Sequence, residues 1–237
     1  ASEETGMLRQ QILSRSQEQG WEPIRLSQKL IHFSPQEWVD RYAETFRAFA
    51  VGDSFFIYPS WGHPSPTHPV NVLLDPGHAF GTGTHESTQL CLLALESTVS
   101  GVSTMLDVGT GSGILTIAAK KLNPRLSVFA CDNDPLAVEA AHENFINNQV
   151  SSLRLFVGEP RTIAAQFDLV IANLTAVIIQ DLASEISRLA RNYVIVAGFT
   201  SEQGPSVLES LKEEFELLRT FSMNGWLCYK LRSWQES

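Results

Sequence analysis

Cysteine is scarce in this chain: Cys91, Cys131 and Cys228 are the only 3 among 237 residues, far apart and each set in an apolar run. An odd count at such spacing argues against a disulfide framework and offers no zinc pattern. Basic residues are also in short supply, 17 Lys and Arg against 26 Asp and Glu, giving a formal net charge of -9. Nucleic-acid binders usually carry a basic footprint, so no direct nucleic-acid partner is expected, and a basic protein partner suits this charge better. Nowhere is there a run of about eighteen apolar residues, or a charged-then-apolar leader, so a soluble, cytoplasmic protein with no membrane partner is expected. The 6 histidines are scattered, and His63 and His68 sit in a proline-rich loop without cysteine or carboxylate at metal spacing. No metal is expected.

What the sequence does have is alternation. After a first helical segment around Met7, Leu8, Ile12 and Leu13, Ser34-Pro35-Gln36-Glu37 reads as a capping box with proline at the first helical position. Trp38, Tyr42, Phe46 and Phe49 follow at helical spacing. Val51-Gly52-Asp53 turns the chain, Ser54 to Tyr58 reads as a strand, and the prolines between Pro59 and Pro69 suit an exposed connection. Residues 1–70 are therefore read as a small N-terminal α+β extension with a linker, and residues 71–237 as the main domain.

In the main domain, strands predicted over 104–109, 126–131, 153–157, 167–172 and 193–198 alternate with helices over 114–122, 135–147, 176–190 and 202–217. That order is the sign of a doubly wound α/β sheet, mostly parallel and covered by helices on both faces. Strands at 217–222 and 226–231, turning about Met223-Asn224-Gly225, would form a hairpin that adds an antiparallel strand at the sheet edge and brings the count to seven.

The apolar strand Met105-Leu106-Asp107-Val108 runs into Gly109-Thr110-Gly111-Ser112-Gly113 and then directly into a helical pattern. Glycines let the backbone turn sharply and approach a ligand, and free N–H groups at a helix start favour a negative group. A dinucleotide fingerprint needs its third glycine where Ile114 stands, and the lysine of a nucleotide-triphosphate loop is absent. Alternate glycines after an acidic strand end suit S-adenosylmethionine, whose charged end is an amino-acid zwitterion; a tight turn with no ligand is the alternative. Asp107 would hold the loop or the ligand's ammonium group. Asp132 ends the second strand about 20 residues beyond the glycines, where a carboxylate meets ribose hydroxyls. Asp134, two residues later, reads as a helix cap. Gly158-Glu159 either borders an adenine or forms a surface turn.

Two further segments are Asp75-Pro76-Gly77-His78-Ala79-Phe80-Gly81-Thr82-Gly83-Thr84-His85, leading into a helix with Thr88, and Phe167-Asp168-Leu169-Val170-Ile171-Ala172-Asn173-Leu174. Taken with Asp107 to Gly113 and Asp132 to Pro135, they resemble the PrmA family, the methyltransferases of ribosomal protein L11, over roughly the last 200 residues. The resemblance implies a class I, Rossmann-like methyltransferase that uses S-adenosyl-L-methionine to methylate lysine side chains and an N-terminal α-amine of a protein. It implies cofactor contacts at Thr88, Gly109, Asp132 and Asn173, with the loop from Phe80 and Gly81 to His85 folding over the cofactor. Asp107 and Gly111 complete the expected set. The chain departs from the family at Glu86, where proline is usual, and at Leu174-Thr175 in Asn173-Leu174-Thr175-Ala176. Family members also carry an N-terminal substrate-recognition domain that residues 1–30 are too few to build.

The sulfonium methyl is already activated, so the protein has to align a neutral amine and exclude water. Asn173 is assigned to that positioning, its alternative role being a cap on the helix that follows; no general base is nominated, and His85 is read as a hydrogen-bonding or packing residue. An rRNA- or DNA-base methyltransferase is the rival class, but Asn173-Leu174-Thr175 lacks the proline-proline-aromatic group that stacks a flipped base. A small-molecule N-methyltransferase would act on a free amine without any protein.

Overall fold

The computed structural model describes residues 47–74 and 83–234. The capping box at Ser34, the aromatic positions Trp38, Tyr42 and Phe46, and the loop residues Phe80 and Gly81 lie outside the described residues. All the described residues fall within one unit, Tyr42–Ser237.

Phe49–Val51 (β1) and Phe55–Tyr58 (β2) form an antiparallel hairpin, and Val70–Leu73 (β3) pairs with β2 in parallel. Gly52 closes the hairpin with a φ of 61°, a left-handed conformation that a residue without Cβ adopts freely. Phe49, read from its spacing as part of a helical stripe, is therefore a strand residue: the turn at Gly52 folds it back onto Ile57. Phe55, Ile57, Val70 and Val72 alternate inward and are buried in one core with Leu92 and Leu95 of the helix Glu86–Glu96 (α1). The strands before residue 70 and the helix after it thus share apolar packing.

The seven-stranded sheet is built from Thr104–Val108 (β4), Ser127–Asp132 (β5), Leu153–Val157 (β6), Phe167–Asn173 (β7), Ala190–Thr200 (β8), Phe215–Met223 (β9) and Trp226–Ser233 (β10). Its order is β6-β5-β4-β7-β8-β10-β9. The first five in that order are parallel, while β10 runs antiparallel to both β8 and β9. The hairpin turns at Asn224 (φ 48°) and Gly225 (φ 83°), the positive-φ pair of a tight two-residue turn. Its second strand docks on the sheet and leaves β9 at the edge.

Successive strand residues go to opposite faces, and in the central strands β4 and β7 both faces are buried. Met105, Leu169 and Ile171 join one core cluster, whereas Leu106, Val170 and Ala172 join the other. This explains why the strands read as continuous apolar runs. Ile114–Leu122 (α2) and Pro135–Asn147 (α3) match the predicted helices. The predicted helix at 176–190 divides at Leu182 into Ala176–Asp181 (α4) and Ala183–Leu189 (α5). The last helix, Gly204–Leu211 (α6), ends early because Phe215 is drawn into the core as the start of β9. Among the described residues no helix is long and apolar enough to cross a membrane.

Candidate functional site

In a parallel sheet the loops at the carboxyl ends of the strands converge, and strand order reverses between β4 and β7. The glycine loop leaves β4 at this point. Gly109, Gly111 and Gly113 all have positive φ, at 69°, 55° and 80°. A Cβ on Gly109 would come within 2.5 Å of Leu174 Cδ2, so a side chain there would close the space between the loop and the end of β7. The amides of Gly109 and Thr110 donate to Cys131 O at 2.9 and 3.0 Å, which ties the loop to the neighbouring β5.

Asp107 lies beneath this loop and is 1% exposed. Its Oδ2 accepts hydrogen bonds from the hydroxyls of Thr110 and Thr116, both at 2.8 Å. Its Oδ1 is buried with no donor from the described residues. Burial pushes the carboxyl up to about 6, against the opposing pull of the two threonine hydroxyls. The same apolar surroundings drive the neighbouring Cys131 thiol up to about 12, leaving it an inert packing group.

Asp132 Oδ2 accepts from Gly111 N at 2.9 Å, and its Oδ1 from Asp134 N at 3.0 Å. Each oxygen still has acceptor capacity, since a carboxylate offers about four lone-pair sites. Asp134 caps α3 by accepting from Leu136 N at 2.9 Å. Adjacent carboxylates thus have separate tasks: Asp132 fixes the glycine loop and Asp134 starts the helix.

At the end of β7, Asn173 Nδ2 donates to Thr88 Oγ1 at 3.1 Å. The cap position of α4 belongs to Thr175, whose side chain makes no capping bond, so Asn173 serves the site edge and not the helix end. Gly198 of β8, with φ 100°, lies directly under Asn173 and Leu174; a Cβ there would collide with the Leu174 carbonyl. His85 caps α1 by accepting from Ser87 N at 3.2 Å, and its ring sits edge-on to Trp226 with centroids 4.5 Å apart.

A cavity of about 360 Å³ runs along this edge. Gly109, Gly111, Asp132 and Asn173 line it, joined by the Gly158–Arg161 turn and by Ile178, Asp181 and Leu182. Asp107 and Thr88 are not in its lining; they hold Thr110 of the loop and Asn173 respectively. Arg161 and Asp181 carry no local signal as site residues, because their pairing joins a loop to a helix 20 positions later. A larger cavity of about 820 Å³ lies at the opposite end of the strands, walled by Arg188, Arg191, Glu209 and Glu213 and remote from the glycine loop. Among the described residues no group of three His, Cys, Asp or Glu is placed to hold a metal ion.

The family model for ribosomal protein L11 methyltransferase (PrmA) matches residues 3–233. Relatives named ribosomal protein L11 methyltransferase include one from Helicobacter pylori (strain Shi470), 35% identical over 92% of this chain and 67% of its own length. Another, from Tolumonas auensis, is 40% identical over 81% of this chain and 66% of its own. A crystal structure of a ribosomal protein L11 methylase from Lactobacillus delbrueckii subsp. bulgaricus superposes with a TM-score of 0.74 at 31% identity, over 79% of this chain and 99% of that one. The chain spans between 61% and 67% of the length of the Helicobacter relatives it matches. The chain belongs to the ribosomal protein L11 methyltransferase (PrmA) family and has its class I methyltransferase fold.

Proposed function

We propose that the chain binds S-adenosyl-L-methionine and transfers its methyl group to amines of a protein, lysine side chains or an N-terminal α-amine, with ribosomal protein L11 as the first acceptor to test. One observation carries the reading: the glycine loop, Asp132 and Asn173 line a single cavity at the switch point of the sheet. The residues fit the cofactor. Gly109 keeps the loop open beside Leu174, and Asp107 places an unused carboxylate oxygen beneath it, a charge that favours an ammonium group. Asp132 supports the reading as the ribose acceptor, with Phe80 and Gly81 as expected covering residues.

When bound, the cofactor supplies an electrophilic methyl on a sulfonium. The chain's own task is to hold a neutral amine in line and keep water away. Asn173 is assigned to that alignment. Its amide nitrogen is held by Thr88, which fixes the side-chain plane and leaves its oxygens to accept from the amine. No residue is needed as a strong base once the amine has lost its proton.

Calorimetry of the purified chain tests the cofactor. S-adenosylhomocysteine should bind with one site per chain and nicotinamide dinucleotides should not. Dinucleotide binding with no response to S-adenosylhomocysteine would overturn the assignment.

A further inference from the structure

Arg161 and Asp181 have no part in the chemistry above, yet they form an ion pair and both line the cavity a bound nucleoside would enter. Sheet order fixes the lie of the ligand. If the amino-acid tail rests on the loop after β4 and the ribose on Asp132 of β5, the next strand outward is β6, and the base falls between the Gly158–Arg161 turn and α4. Pro160 is buried there, and Ile178 and Leu182 supply apolar surface for the flat face of a purine.

Arg161 closes that end. Its Nη2 stands 2.7 Å from Asp181 Oδ2, while its Nε is 3.7 Å from Glu159 and 3.8 Å from Glu185. One guanidinium therefore joins the turn after β6 to both α4 and α5. Arg188 ties the same turn down from α5, donating to Ile163 O at 2.7 Å and to Pro160 O at 3.3 Å. Among the described residues Arg188 donates to backbone oxygens alone, so it sets the position of the turn. Arg161 reaches the cavity itself.

We propose that Arg161, paired with Asp181 where both line the cavity, is the positioning residue that retains the adenosine end of the cofactor, an inference that rests on the cofactor reading above. The pair is half exposed, 50% for Arg161 and 68% for Asp181, and exposed pairs add little to folding. Its effect is accordingly on ligand retention and not on stability. The bridge leaves the reacting end of the site untouched, so its removal changes affinity and KM for the cofactor while kcat at saturating cofactor stays the same.

The test is calorimetry with S-adenosylhomocysteine and with 5′-methylthioadenosine, which has the same nucleoside and lacks the amino-acid tail. Arg161→Ala should weaken both by the same factor, roughly three- to five-fold, the scale of an exposed ion pair. Asp181→Asn removes the α4 arm alone and leaves Glu159 and Glu185 beside the guanidinium, so it should weaken both by a smaller factor, with melting temperatures close to wild type in both variants. Unchanged affinities in Arg161→Ala, or a loss confined to S-adenosylhomocysteine, would overturn the proposal. Wild-type protein that binds neither nucleoside would instead sink the cofactor reading, and the latch with it.

Discussion

Asn173 and Thr88 are 85 positions apart in sequence and share one 3.1 Å hydrogen bond that joins the end of β7 to the first turn of α1. Thr88 is 1% exposed, so its hydroxyl is a fixed acceptor and not a solvated one. Because Asn173 does not cap α4, replacing it should spare the fold. Asn173→Ala should lose most methyl transfer while unfolding free energy falls by about 1 kcal/mol, the net worth of one hydrogen bond. Thr88→Val should act in the same direction and more weakly, since it frees the amide without removing it. Single-turnover rates beside thermal melts measure both; full turnover with reduced stability in Asn173→Ala would refute the positioning role.

Asp107 sets the pH dependence. Its folded-state pKa of about 6 stands above the usual 3.8, so between those values the folded chain holds a proton that the unfolded chain has released. Stability from this group is therefore highest in acid and declines as pH rises toward 6. Cofactor binding runs the other way, because the ionised carboxylate attracts the ammonium and sulfonium charges above it. Affinity for S-adenosylmethionine should rise from pH 5 to about 6.5 and then level off. Asp107→Asn should bind more weakly and lose that rise. A wild-type affinity that stays flat across this range would remove Asp107 from the site's electrostatics.

Asp132 has two duties in this account, and a pair of variants separates them. Asp132→Ala removes the acceptor for Gly111 N and the acceptor offered to the ribose, and should cost on the order of 1.5–3 kcal/mol of S-adenosylhomocysteine binding. Asp132→Asn keeps one oxygen for the loop and should recover part of the loss. Asp134→Ala should shift melting through the lost cap and leave affinity nearly intact. If Asp134→Ala proves the weaker binder, the ribose role passes to it.

The doubly wound sheet was legible because its central strands, β4 and β7 above all, are buried on both faces and read as apolar runs. Asp132 and Asn173 could be named for the same reason, each being a polar residue at the end of such a run, whereas Asp107 stands one residue short of the strand end and is buried beneath the loop. The break at Leu182 could not be read, because Ile179, Leu182 and Ile186 keep helical spacing across it and all three are buried. β1 and β3 were missed because each is only 3 or 4 residues long, too short for its alternation to stand out. Contacts made by tertiary approach, Arg161 to Asp181 and Asn173 to Thr88, leave no local pattern at all.

The acceptor is read directly by mass spectrometry of the products when the chain is given trideuteromethyl-labelled S-adenosylmethionine and a mixture of ribosomal proteins and ribosomal RNA. Label should appear on lysine side chains or an N-terminal amine of protein, ribosomal protein L11 among the acceptors, and most of it should be lost with Asn173→Ala. Label on RNA bases and none on protein amines would contradict the proposed function.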